Sequence, residues 1–247
     1  MFRWWRQRRR RETLAAPVPE GWRSLLERSV PFFVALPPDR QEHLLHLAAG
    51  FLAEHPIVGA GGLELTEEIR VVVAACAARL ILDLDLAHYE RLTEVVVYPY
   101  DELVDPRDDR AMLGVAHRHG AVVLSWPAVQ RGLRAPHDGR DTAAHEFAHA
   151  LDLADGVFDA APALRASEDY RPWAAHLGAA FARLQEGDRT LLKVLRPYGA
   201  TAPEEFFAVA TEVYFERPDA LRRAAPDVYT ELARFYGAPD DAASPDD

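Results

Sequence analysis

The chain has 247 residues, 49% of them hydrophobic and 27% charged. That is the profile of a folded protein able to bury roughly 70% of the surface its unfolded form exposes, and its single cysteine, Cys76, excludes an internal disulfide or a cysteine-rich zinc module. The net charge is −11, yet Arg3, Arg6, Arg8, Arg9, Arg10 and Arg11 crowd the first eleven residues; residues 12–247 hold 22 basic and 39 acidic side chains, a net of −17 that excludes a nucleic-acid-binding core by repulsion of phosphate.

Residues 1–19 read as a basic, solvated arm in which Trp4 and Trp5 lie among the arginines. The stretch Glu12-Thr-Leu-Ala-Ala-Pro17 lacks the apolar core of a secretory signal. The chain also has no run of 18 apolar residues, so a cytoplasmic protein without a transmembrane segment is expected. Pro38 and Asp39 open a helix through Leu44, Leu45, Leu47, Ala48, Phe51 and Leu52, closed by His55-Pro56. Gly59-Ala-Gly-Gly62 reads as a loop. Thr66-Glu-Glu starts a second helix that buries Val72, Val73, Cys76 and Leu80, leaving Cys76 an inert thiol. Glu94–Tyr98 and Ala121–Trp126 have strand character and are stopped by Pro99 and Pro127. Further helices are expected near 142–154, 172–186, 203–216 and 218–236, before an acidic tail at 237–247. No internal repeat is visible. The sum is a mostly helical α+β chain with a small sheet, in one domain spanning 20–236.

His145-Glu146-Phe147-Ala148-His149 carries the chemistry. Helical positions i and i+4 project from one face, so both imidazoles can reach one metal ion, with Glu146 beside them to take a proton from water. Asp141 or Thr142 can cap the helix, and Ala143, Ala144, Ala148, Ala150 and Leu151 favour it. Such a site needs a third ligand and an open position. Pro203 opens an acidic amphipathic helix downstream, and spacing alone leaves Glu204, Glu205, Glu212 and Glu216 all open as that ligand. Glu205 and Glu212 share a face, so one can bind metal while the other supports a ligand. His117 and His119 flank Arg118 without a third partner. They read as structural, as do His43, His46, His55, His88, His137 and His176.

The run from His145 to Asp152, followed by Asp155-Gly156, resembles the signature of the Mlc titration factor A family of bacterial zinc peptidases. The block from Tyr198 to Glu212 resembles the same family. It is also similar to the catalytic domain of anthrax lethal factor, where a tyrosine stands seven residues before the ligand glutamate. Val97-Tyr98-Pro99 and Leu124-Ser125-Trp126 extend the likeness over about residues 20–236. The resemblance implies a zincin-like metallopeptidase fold of the gluzincin kind, with a small mixed β-sheet and an active-site helix carrying HExxH.

It further implies one Zn2+ per chain held by His145, His149 and Glu205, with Glu146 as general base and Tyr198 donating to the oxyanion. Glu204 is turned by about 100° from Glu205, and Glu212 lies roughly 10 Å further along the axis, which agrees with that choice. Asp152, three residues beyond His149 on the ligand face, is a candidate to orient an imidazole or to cap a turn, and Glu212 a candidate for the same supporting layer. Ala121–Trp126 resembles the edge strand on which zinc peptidases lay an extended substrate, though a core strand fits as well. The expected function is aminopeptidase-like hydrolysis of a peptide substrate. The alternative is a non-catalytic regulator that sequesters a transcriptional repressor such as Mlc and so acts on sugar uptake. Direct contact with nucleic acid is not expected.

Overall fold

The computed structural model describes residues 2–100, 120–156 and 159–239. His117, His119 and the end of the acidic tail lie outside the described residues. The architecture is mostly helical α+β, with three short strands: β1 (Ile57–Gly59), β2 (Glu94–Tyr98) and β3 (Ala121–Ser125). They pair in the order β1-β2-β3, with Ile57 opposite Val95 and Glu94 opposite Ala121. Among the described residues both pairings are parallel, where a mixed sheet was expected. The chain leaves β1 and returns to β2 through a helix (Glu67–Leu80), the kind of long crossover that parallel neighbours require.

Alternation is clear in the two longer strands, where Val95, Val97, Val122 and Leu124 are buried. β1 is only three residues long, too short for a period of two to show in the sequence. At its end, a Cβ on Gly59 would stand 2.1 Å from the Leu63 carbonyl oxygen, so the glycine loop folds back on itself only without a side chain there.

Helices form close to where the periodicity places them: Pro38–Glu54, Glu67–Leu80, Thr142–Asp152, Tyr170–Gln185 and Pro203–Glu216. The Thr66 hydroxyl caps the second of these by accepting from the Ile69 N–H at 3.2 Å. Three expectations are corrected. Residues 218–236 form two helices, Pro218–Ala224 and Pro226–Tyr236, because Pro226 pushes Ala225 out of helical geometry (φ −144°, ψ 70°). Pro127 opens a helix (Trp126–Arg134) as well as ending β3, and Ser125 caps it. The N-terminal segment, expected as a solvated arm, is helical from Phe2 to Ala15. Arg10 makes a two-pronged contact with Glu54 at 2.6–2.9 Å, and Leu14 packs over Gly50.

The helix Thr142–Asp152 sits among the helices Glu67–Leu80 and Pro203–Glu216 and strand β3. All three helices are rich in buried alanine: Ala74, Ala75, Ala77 and Ala78 on one, Ala208 and Ala210 on another, and Ala143, Ala144 and Ala148 on the motif helix itself. Phe147, fully buried, anchors it in an aromatic cluster with Phe51 (ring centroids 5.7 Å) and Tyr89 (5.8 Å). Cys76 is buried in the same core, and burial pushes its thiol pKa up, consistent with an inert role. Among the described residues no helix is long and apolar enough to cross a membrane. Truncation of Phe147 to Ala removes one ring of the cluster and is expected to destabilise the fold by about 3–5 kcal/mol, read from urea denaturation against wild type.

Candidate metal centre

The motif helix Thr142–Asp152 begins at Asp141, whose Oδ1 accepts the Ala144 N–H at 2.9 Å. One turn on, His145 and His149 lie one above the other, with ring centroids 4.9 Å apart and planes at 86°. The glutamate helix Pro203–Glu216 packs against this helix, and its Phe206 and Phe207 meet Phe181 and Trp173 of the helix Tyr170–Gln185. Pro203 at its start brings Glu204 and Glu205 into the first turn, where the helix dipole favours negative charge.

The two helices bring His145, His149 and Glu205 together. Glu205 Oε2 lies 3.1 Å from His145 Nε2 and 3.5 Å from His149 Nε2, and one donor atom from each residue lies within 4.8 Å of the others. A tetrahedral ion with ligand bonds of about 2.0–2.1 Å sets its ligand atoms roughly 3.3 Å apart, close to both distances from Glu205 Oε2. Two neutral imidazoles and one carboxylate also suit it chemically. The His149 side chain is only 1% exposed and Glu205 is 20% exposed, so the cluster faces solvent on the Glu205 side.

Burial works to raise the Glu205 pKa, but hydrogen bonds from His145 and His149 win and hold it well below the usual carboxylate range. Burial alone would lower His145, yet Glu205 and Glu212 together push it up to about 10. Protons and a metal ion compete for the same imidazole lone pairs, so metal uptake here releases protons.

A further layer of hydrogen bonds fixes His145. Its Nδ1 donates to Glu212 Oε1 at 2.8 Å, which leaves Nε2 directed at the cluster. Glu212, 1% exposed, also accepts the Asp141 backbone N–H at 3.0 Å and a guanidinium N–H of Arg196. Tyr198 stands on a short 3-10 turn, Pro197–Ala200, with its ring 6.0 Å from that of His145. Glu146, half-buried, follows His145 directly on the motif helix.

The remaining candidates fall elsewhere. Glu204 is half-buried outside the cluster, and Glu216 accepts the His137 backbone N–H at 2.6 Å and an Arg79 N–H at 3.4 Å. Asp152 is fully buried, and among the described residues neither of its oxygens hydrogen-bonds an imidazole. It is the last residue of the motif helix, and burial lifts its pKa to about 7. Arg196 and Arg79 carry no spacing signal and are missed from sequence, being two among 27 arginines. Only the position of Arg196 two residues before Tyr198 hints at a role.

Residues 2–237 match the family model described as glucose-regulated metallo-peptidase M90. The chain is similar to an uncharacterized protein of Synechocystis sp., 32% identical over 244 residues that cover 94% of this chain and 89% of that one. It is also similar to Mlc titration factor A of Cronobacter sakazakii (28% identical, covering 90% of this chain and 88% of that one). Mlc titration factor A of Klebsiella pneumoniae is 29% identical, with 96% of this chain and 91% of that one covered. A metal-type cluster on an HExxH helix and a match along nearly the whole chain agree, and the chain belongs to the glucose-regulated metallo-peptidase M90 family.

Proposed function

We propose that the protein is a zinc-dependent peptidase of aminopeptidase-like action on peptide substrates in the cytoplasm. The observation that carries this reading is the meeting of His145, His149 and Glu205 on two helices, with the far nitrogen of His145 held by Glu212. A His2Glu donor set with an open position is that of catalytic zinc. When bound there, zinc supplies Lewis-acid polarisation of the scissile carbonyl and lowers the pKa of water to about 7.

The chain's own groups supply the rest. Glu146, adjacent to one ligand and three residues before the other, accepts the proton of the attacking water and delivers it to the leaving amine. Tyr198, within reach of the His145 ring face, donates a hydrogen bond to the developing oxyanion, a contribution typically worth about 3 kcal/mol. Glu212 holds the His145 ring and its tautomer through the cycle, and so acts through that ligand. A second reading, sequestration of a repressor, draws on the name Mlc titration factor A borne by the relatives. It requires no hydrolysis and is compatible with the first.

Metal titration separates the ligand set from its neighbours. The purified protein is expected to bind about one zinc per chain, and His145→Ala or His149→Ala to lose most of it. Glu205→Ala should weaken zinc affinity sharply while Glu204→Ala changes little, and wild-type affinity in Glu205→Ala would refute the assignment.

Glu146→Gln cannot accept the proton, so peptide turnover should fall by roughly 10²–10⁴-fold with zinc content and fold retained. Peptide-cleavage assays on metal-loaded protein measure this, and activity near the wild-type level would mean that another group is the base. The same variant should still bind a repressor if sequestration is a second activity.

A further inference from the structure

We infer that Arg79 is a positioning residue for the metal centre, a clamp that sets the spacing between the motif helix and the glutamate helix; this rests on the metallopeptidase reading above. Arg79 lies near the end of the helix Glu67–Leu80, outside both elements that carry the ligands. Its guanidinium nevertheless touches both. Nη1 lies 3.3 Å from Asp141 Oδ2, at the start of the motif helix, and 3.4 Å from Glu216 Oε1, at the end of the glutamate helix. Nη2 donates to the Phe215 carbonyl at 3.0 Å, satisfying one of the acceptors that a helix C-terminus leaves open. The guanidinium also lies over two rings, 4.4 Å from the centroid of Phe32 and 5.0 Å from that of Phe215.

The link from this clamp to the ligands is continuous. Asp141 uses Oδ2 for Arg79, Oδ1 to cap the motif helix at Ala144, and its backbone N–H for Glu212 Oε2. Glu212 in turn accepts the hydrogen bond from His145 Nδ1. A shift of Asp141 therefore moves the start of the histidine-bearing helix and the carboxylate that aims His145 at once. Only a planar, forked cation reaches two carboxylates and a carbonyl on different helices; a lysine ammonium has one point of charge and no plane to lay over a ring.

Zinc affinity measured by competition with a chelator tests the clamp, at a temperature well below the melting point of each variant. Arg79→Lys and Arg79→Gln are expected to bind zinc about 10–100-fold more weakly, the range for loss of a partner behind a metal ligand. The absorption spectrum of the cobalt-substituted protein should change with them while helical circular dichroism does not. Combined with Glu212→Ala, Arg79→Gln should cost less than the product of the two single effects, because both act through one chain of contacts.

Folded Arg79 variants with wild-type zinc affinity and an unchanged cobalt spectrum would overturn the inference, and so would losses that simply multiply. If Arg79→Gln does not fold, Asp141→Asn decides: it keeps the cap oxygen and the backbone donor and loses only the ion pair. Weakened zinc binding in that variant supports the clamp, and wild-type binding refutes it. Absence of metal binding in the wild-type protein, or its persistence in His145→Ala, would instead refute the metal-site reading itself.

Discussion

The carboxylate of Glu212 reaches from the glutamate helix to His145 Nδ1 at 2.8 Å, and much of the structure is arranged so that it can. That bond selects the tautomer whose Nε2 lone pair is available and fixes the ring plane, two conditions a metal ligand must meet before any ion arrives. It also requires two helices to approach closely and keep one register. The second Glu212 oxygen, bonded to the Asp141 N–H, ties the register to the first residue before the motif helix. His145 thus has its position dictated from both ends: by its own helix and by the helix that presents Glu205.

Such a layout concentrates buried charge, and each uncompensated ion would cost several kcal/mol. Compensation comes from helix ends as well as from side chains. Glu205 sits in the first turn of its helix and Arg79 against the last turn of the same helix, each where the backbone dipole favours its sign. Burial raises the pKa of Asp141 and of Glu216, and for both Arg79 is the strongest opposing influence. Arg196 forms an ion pair with Glu212. Three buried acids near the cluster, Asp141, Glu212 and Glu216, thus share two arginines, although residues 12–247 carry a net charge of −17.

The aromatic core explains why this polar assembly does not disturb the fold. Phe147, between the two ligand histidines in sequence, points the opposite way, to Phe51 and Tyr89. One short helix thus has a metal-facing side and a core side, and the core side bears its hydrophobic stabilisation. The N-terminal helix adds a layer on the far side of the helix Pro38–Glu54, with Arg10 neutralised by Glu54 at its end.

Local patterns in the sequence determined a great deal. Helical periodicity and Pro or Thr start signals located Pro38–Glu54, Glu67–Leu80, Thr142–Asp152 and Pro203–Glu216, because those signals act within one or two turns. The spacing of His145 and His149 determined that they share a face, since helix geometry alone does so. It did not determine which acid meets them: Glu204, Glu205, Glu212 and Glu216 are equal in type, and the outcome depends on where one helix lies along another. The tertiary structure placed Glu205 at the cluster and Glu212 behind His145, and it left Asp152, on the ligand face by helical phase, buried at the end of the motif helix without a hydrogen bond to either imidazole. The same holds for β1 and for the docking of the N-terminal helix, whereas the break at Ala225 follows locally from Pro226. The two arginines that balance the site's buried acids lie 62 and 16 residues in sequence from the carboxylates they meet, Arg79 from Asp141 and Arg196 from Glu212. Their role comes from burial and proximity, and those arise only when the chain is packed.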